Sequence, residues 1–370
     1  MKKRAHGLSL VELLIALAIG SVLIIGAVSV YSRSRTTNTL NDTLARLQEN
    51  GRYALSIMEP DIQLAGYYGF TNNPGAFGFI TGGSTGSVTD ASKMQTASTA
   101  VPGLASTAQT CGNNYAVNLI QTVQGNNNQA AFGLTCAAQG GGVVTGTDLL
   151  TIRRASNPAA TGVIAPEAGR VQLLVNRLSP TNQYVFADGT LPTTPALDPN
   201  LVEVRNLVVR SYYISVNSMS LTGLPSLRVK VLTNSGGSPA FVDDNTAEPT
   251  SGEVLAGVED MQVQFGIDTG DYDADGAIDP GLDADGDNIP DEPRGIATRY
   301  VNANFANLIR YQVVSVRLWL MIRAADPDQA FRDTRTYTYA GKVFTPTAAN
   351  NKFHRLLVSR TIQLRNARTF

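Results

Sequence analysis

The sequence predicts an α+β protein: one long N-terminal helix, half membrane-spanning and half amphipathic, packed on an antiparallel β-sheet head. Three observations predict it. A basic leader runs straight into an apolar segment, in which Leu13–Tyr31 gives 19 residues without a charge. Apolar residues then recur at spacings of three and four as far as Ala65. Beyond residue 200, apolar and polar residues alternate in segments with no helical stripe between them. Composition agrees. Of 370 residues 43% are hydrophobic, enough for a core, while 16% are charged against roughly 25% in an ordinary soluble domain. Gly, Ser, Thr and Asn fill the gap, as long polar loops between strands do. A net charge of −1 excludes a globally basic nucleic-acid binder. Two cysteines exclude a disulfide-dense scaffold, and His6 and His354 leave little material for histidine chemistry.

Residues 1–7, MKKRAHG, form a cationic leader, and residues 8–31 match the ~20 needed to cross a bilayer core of ~30 Å. Lys2, Lys3 and Arg4 hold the N-terminus in the cytoplasm and send the rest outward. A secretory signal has a shorter apolar core and a small-residue cleavage site after it. Here the small residue, Gly7, precedes the run. Glu12 is the oddity, because a carboxylate at mid-membrane costs about 2.5–3.5 kcal/mol, and less near a helix end. Scission after Gly7 frees the α-amine of Leu8 and makes Glu12 the fifth residue of the mature chain. The amine of a neighbouring subunit then neutralises it inside a helix bundle. A plain single-pass anchor with an incidental glutamate is the alternative.

The helix continues over residues 32–66. Leu40, Leu44, Leu47, Gly51, Leu55, Met58, Ile62 and Ala65 make one stripe, with Arg46, Glu49, Arg52 and Glu59 off it. Gly66 is a natural stop, and Pro60 removes one backbone donor and kinks the last turns. Leu8–Gly66 as helix reaches ~90 Å at 1.5 Å per residue.

The leader, Gly7 and the run Ser9-Leu10-Val11-Glu12-Leu13-Leu14-Ile15 resemble the type IV prepilin family. That resemblance implies cleavage by a prepilin peptidase between Gly7 and Leu8 and N-methylation of Leu8, where family members more often carry Phe. The segment from Leu47 to Leu55, and then Asp61-Ile-Gln-Leu-Ala-Gly-Tyr67, is similar to the PilW group of minor pilins, related to the J-type pseudopilins of type II secretion. The likeness continues through Gly146–Arg154, Leu255–Asp268, Val314–Leu320 and Thr361–Asn366, and leaves residues 71–142 unmatched.

Residues 67–146 read as a Gly/Asn/Ser/Thr-rich variable region, and residues 147–370 as the β-rich head. Cys111 and Cys136 enclose 24 residues. Outside the cytoplasm they form a disulfide worth roughly 3 kcal/mol in the chain-entropy model, or stay as two buried thiols. Leu207–Val216 and Leu227–Leu232 pair as a hairpin, with Leu227, Val229 and Val231 on one face and Arg228 and Lys230 on the other. Met261–Ile267 alternates. Val313–Ile322 is apolar on both faces and so central, and Leu356–Leu364 is the last strand.

Asp268–Glu292 holds ten acidic residues and no basic one. Asp271, Asp273, Asp275 and Asp279 take positions one, three, five and nine, and Asp283, Asp285, Asp287 and Asp291 repeat the spacing. Alternating carboxylates around a glycine turn can wrap Ca²⁺, which takes six to eight hard oxygens. The pattern resembles EF-hand and thrombospondin-type calcium loops, but Leu282 and Arg294 stand where an EF-hand has its bidentate Glu. A weak extracellular-type site, on the order of 10⁻⁴–10⁻³ M, is expected. A solvated acidic loop is the alternative.

Enzyme motifs fail. Gly82-Gly-Ser84-Thr-Gly86 matches G-x-S-x-G by letters, without a helical stripe after it. His354 is expected on a strand surface. Arg153, Arg154, Arg205, Arg210, Arg228 and Lys230 offer a positive strip for DNA, although cations on an exposed sheet face more often protect against aggregation. The sequence therefore reads as a non-enzymatic minor pilin. By resemblance it joins other minor and major pilins through its helix, in a complex that primes a type IV pilus near the tip, with a large tip adhesin as a further partner. It waits in the inner membrane with its head in the periplasm and ends in the extracellular pilus. A type II secretion pseudopilin, a calcium-dependent tip adhesin and a DNA-uptake pilin are the alternatives, with nucleic acid the least supported.

Overall fold

The computed structural model describes residues 9–71, 77–80, 88–90, 115–128, 138–157, 165–177, 183–191, 201–243, 308–367 and 252–306 apart from 276, 280, 281, 284, 287, 289, 291 and 292. Helix α1 spans Leu10–Gln63 and takes Pro60 within its last turn. It stops where Gly66 adopts φ +77°, a conformation open to glycine. Just past the apolar run, Thr36, Thr37, Thr39 and Thr43 each donate a hydroxyl to the carbonyl four residues back at 2.9–3.0 Å. This satisfies hydroxyls on residues that are otherwise poor helix formers. The chain divides into two compact units, residues 1–49 and 50–370.

The second unit holds sixteen strands in the described residues: β1 (Phe77–Ile80), β2 (Val88–Asp90), β3 (Val123–Asn126), β4 (Leu149–Ala155), β5 (Ala168–Asn176), β6 (Gln183–Asp188), β7 (Val202–Ser215), β8 (Ser226–Ser235), β9 (Ser238–Asp243), β10 (Glu253–Ala256), β11 (Val258–Asp268), β12 (Arg299–Asn302), β13 (Gln312–Arg323), β14 (Tyr337–Tyr339), β15 (Lys342–Phe344) and β16 (Arg355–Gln363). They form a ten-stranded sheet, a four-stranded sheet in the order β12-β11-β13-β16, and the β14–β15 hairpin. The ladders are antiparallel except β1–β6, which is parallel. Strand β7 organises the large sheet. Its first half, Val202–Asn206, pairs with β5, while Leu207–Tyr212 pairs with β4 and Arg210–Ser215 with β8. The predicted 207–216 and 227–232 pair is thus part of a larger assembly of strands. Strand β13 is central in its sheet, as its two apolar faces predict.

Between the two sheets lies the main core. The buried face of the last helical turns (Ala54, Leu55, Met58, Ile62) packs with Met261, Val263 and Phe265 of β11 and Val316, Leu318 and Leu320 of β13. Gly51 sets the approach. A Cβ there would lie 2.9 Å from Val358 and 3.0 Å from Ile322, so a larger residue makes those side chains or the helix give way. A second core, around Tyr68, Leu173, Val175, Leu207 and Tyr213, fills the far side of the large sheet.

Asp148 ties the sheets together. Its Oδ1 accepts the Asn128 N–H and its Oδ2 the Val263 N–H, both at 2.8 Å, and its own N–H reaches the Met261 carbonyl at 2.9 Å. Burial pushes its carboxyl up to about 6, against the pull of the two amides and with a smaller push from Asp260. A folded value above the unfolded one means that ionisation costs stability. The head is favoured by this group below about pH 4 and loses that share as pH rises through about 6. Asp148→Asn is therefore expected to gain on the parent between pH 4 and pH 7 by up to about 3 kcal/mol in urea unfolding of the detergent-solubilised chain. A difference that does not vary with pH contradicts this.

Candidate functional site

Three places carry chemistry: the start of α1, its end, and the acidic loop after β11. At the start, Ser9 immediately precedes the helix, and the Glu12 side chain reaches back three residues to accept the Ser9 N–H at 3.0 Å. This is one half of a capping box, S-x-x-E, and the negative group sits at the positive end of the helix. The signal was present in the sequence as Ser9-Leu-Val-Glu12. Glu12 thus has a local task, using Oε2, besides any intersubunit one. The following apolar side chains are outward on all sides; Leu10, Val22 and Ile25 are 74%, 69% and 68% exposed. The helix is long and apolar enough to cross a membrane. Gly7 and Leu8 lie outside the described residues.

At the end of α1, Asp61 anchors the helix to the large sheet. It is 2% exposed, yet it sits on the helix among apolar residues, a position from which sequence alone gave no role. Its Oδ1 accepts Arg154 Nε at 3.1 Å and Nη2 at 2.9 Å. Its Oδ2 accepts Arg210 Nη1 and the Tyr212 hydroxyl, both at 2.7 Å. Burial and the adjacent Asp61 carboxylate raise the Tyr212 hydroxyl well above its ordinary value, so it stays a donor. Burial alone would lower Arg210, but the Asp61 charge outweighs it and holds the guanidinium charged. On the other flank of the helix, Glu59 meets Arg360 of β16 at 3.0 Å.

These contacts overturn the reading of an open positive strip. Arg154 and Arg210 are held by Asp61. Arg153 is fully buried and donates to the carbonyls of Tyr115, Ala116 and Gln121, closing the end of the short helical turn 115–117. Arg205 pairs with Glu203, Arg228 with Ser215 Oγ and Glu253, and Lys230 with Asp243 at 2.7 Å. The face opposite Leu227 and Val229 is therefore a second interior, not solvent. His354 is likewise not on a strand surface. It precedes β16, is 8% exposed, stacks on Phe331 at 3.9 Å and lies 3.2 Å from Asp328.

In the acidic loop, buried Asp268 closes the base by accepting the amides of Gly270, Gly295 and Ile296 and the Tyr272 hydroxyl. Above it the carboxylates of Asp271, Asp273 and Asp275 offer oxygens within 4.8 Å of one another. Ligands 2.3–2.6 Å from one ion stand at most about 5 Å apart, so these three fit a single Ca²⁺. Asp279 does not join them. It accepts the Tyr272 amide at 3.4 Å and faces Arg294 at 3.8 Å. Asp283 turns to the amides of Gly286 and Asn288, and no second cluster that includes Asp285 forms among the described residues. Asp287 and Asp291 lie outside the described residues, as do Cys111, Cys136 and Ser84.

Comparison with known families decides the identity. Residues 2–28 match the prokaryotic N-terminal methylation motif, and residues 211–366 match PilW, the type IV pilus-assembly protein W. The two matches support a type IV prepilin-like minor pilin of the PilW type. No curated protein and no solved structure matches it significantly. The PilW match begins within β7 and ends just beyond β16, so it contains the whole four-stranded sheet on which α1 packs. The methylation motif ends inside the apolar part of α1. This minor pilin of type IV pilus assembly is anchored in the inner membrane by its apolar helix and assembled into the pilus.

Asp61 serves three donors from two strands of the PilW-type head. Asp61→Ala leaves two guanidiniums and a buried hydroxyl without their acceptor. A destabilisation of about 3 kcal/mol is expected in thermal unfolding, and a loss below about 1 kcal/mol contradicts the anchoring role.

Proposed function

We propose that this minor pilin is cut between Gly7 and Leu8 by a prepilin peptidase, methylated on Leu8, and built into a priming complex near the pilus tip through its helix. The observation that carries this is one carboxylate, Glu12, on a helix otherwise apolar on every side from Leu10 to Tyr31. In the bilayer the group lies near the helix end, where its cost is small. In a filament core it is surrounded by other helices, and an unpaired charge is expelled. The α-amine of the neighbouring subunit is the cation that scission supplies at the right depth. Pairing the two fixes the axial register of one helix against the next. The role is structural and non-enzymatic, and the partners are other minor and major pilins, with a large tip adhesin above them. The match to a pilus-assembly family favours the pilus over a type II secretion pseudopilus. Engagement of all six cations within the head, four of them buried, removes the main support for a DNA-uptake pilin.

Mass spectrometry of the membrane-extracted protein is expected to find a chain starting at methylated Leu8. Glu12→Ala is expected to lower pilus content of the chain about tenfold or more, the effect of losing at least 1.4 kcal/mol of pairing. An intact leader, or equal assembly of the variant, overturns the proposal.

A second reading concerns calcium, favoured by the oxygens of Asp271, Asp273 and Asp275 lying within 4.8 Å of one another. We propose that these three hold Ca²⁺ with backbone and water oxygens filling the shell, and that the ion relieves the repulsion of a loop with ten acids. Calorimetry of the detergent-solubilised chain is expected to give a dissociation constant on the order of 10⁻⁴–10⁻³ M, lost in Asp273→Ala and kept in Asp283→Ala. Absence of heat at millimolar calcium defeats the site.

A further inference from the structure

Strand β16 ends the four-stranded sheet and pairs with β13 alone. Its register runs from Ser315↔Gln363 to Arg323↔Arg355 without a shift. Two bonds fix which groups face β13: Leu364 N–H to the Val314 carbonyl, and Ala324 N–H to the His354 carbonyl, each at 2.9 Å. Even-numbered residues of β16 therefore bond inward, and odd-numbered ones point their N–H and C=O outward. At the two ends this outer edge is already used. The Arg365 N–H reaches the Gln63 carbonyl at the end of α1 at 2.9 Å, and the Arg355 carbonyl accepts Arg335. Between them, Leu357, Ser359, Thr361 and Gln363 turn four donors and four acceptors outward, and no described residue takes them. Ser359, Thr361 and Gln363 are exposed.

Such an edge is unusual for this molecule. The other edge strands among the described residues have six residues or fewer. Strand β9 carries Pro239, and β10 carries a register shift between Glu253 and Leu255. These are the devices by which edges avoid pairing with other chains. Strand β16 has nine residues, no proline and no bulge. Charge points to the kind of segment that fits. Residues 334–370 contain seven Lys or Arg and no Asp or Glu. Most of these cations are paired within the head, Arg360 with Glu59 among them, while Arg365 is exposed beside the open stretch.

We propose that Leu357–Gln363 receives an extended, acidic segment of another pilus subunit as a fifth strand. Main-chain hydrogen bonds supply the affinity, as in other strand additions, and Arg365 selects an acidic side chain. The stretch is about 23 Å long, room for a strand of seven residues. This rests on the reading of the chain as a pilus subunit.

The test uses the full-length chain in piliated cells. Thr361→Pro removes one outward N–H and leaves the β13 ladder intact, since proline is tolerated on the free side of an edge strand. The variant is expected to melt within about 4 °C of the parent and to fall at least about tenfold in sheared pili. Equal content of a stably folded variant overturns the proposal. Should the variant not fold, hydrogen exchange of the parent decides. The amides of Leu357, Ser359, Thr361 and Gln363 are expected to exchange fast in the detergent-solubilised chain and to slow about a hundredfold in pili; equal rates overturn it. Arg365→Glu is expected to lower pilus content at least about threefold, and no change removes the acidic partner. A Ser359→Cys chain that cross-links only to its own copy also overturns it. Absence of the parent chain from pili defeats the subunit reading itself, whereas parent and variants present alike defeat the edge alone.

Discussion

The structure depends on one helix meeting two surroundings. Over Leu10–Tyr31 α1 is apolar on every side, which suits lipid or the interior of a helix bundle and nothing aqueous. Over its last turns it is apolar on one side only, and that side belongs to the core between the sheets. Gly51 permits the close approach, and Asp61 fixes the end of the helix against β4 and β7.

Buried carboxylates recur in the same company. Asp61, Asp243, Asp260 and Asp333 are each at most 4% exposed, and each accepts a tyrosine hydroxyl and at least one cation. Tyr212 with Arg154 and Arg210 serve Asp61; Tyr213 with Lys230 serve Asp243. Tyr339 with Lys342 serve Asp260, and Tyr337 with Arg335 serve Asp333. Desolvation costs of such pairs offset much of their attraction. Their value lies in specificity, because a strand placed out of register leaves a charge in the interior with no partner. A head with so few charged residues uses several of them to say which strand lies beside which.

Much of this was legible in the sequence. The stripe through Leu55, Met58 and Ile62 gave the helix and its buried face, the double-sided apolarity of Val313–Ile322 gave the central strand, and Gly66 gave the stop. What periodicity could not show is where the polar face of a strand points. Arg228 and Lys230 alternate with apolar residues as solvent-facing cations do, but a second layer covers them, with Glu253 and Asp243 waiting in distant segments. The same limit hid Asp61. In the acidic loop, spacing predicted two equal sets, whereas among the described residues geometry gathers Asp271, Asp273 and Asp275, because Arg294 and backbone amides claim Asp279 and Asp283. The bond from the Ser9 N–H to Glu12, half of a capping box, was readable and is local, which is why it forms within a single turn.

Membrane anchoring and filament assembly place the same helix in two apolar settings, and under the proposed pairing it passes from one to the other with Glu12 neutralised on arrival. Photo-cross-linking from Val22, on the outward apolar surface of α1, tests this most directly in intact pili. Adducts with the helices of other pilins are expected in sheared filaments. Adducts confined to membrane lipid, with none to a pilin in any filament fraction, would contradict it.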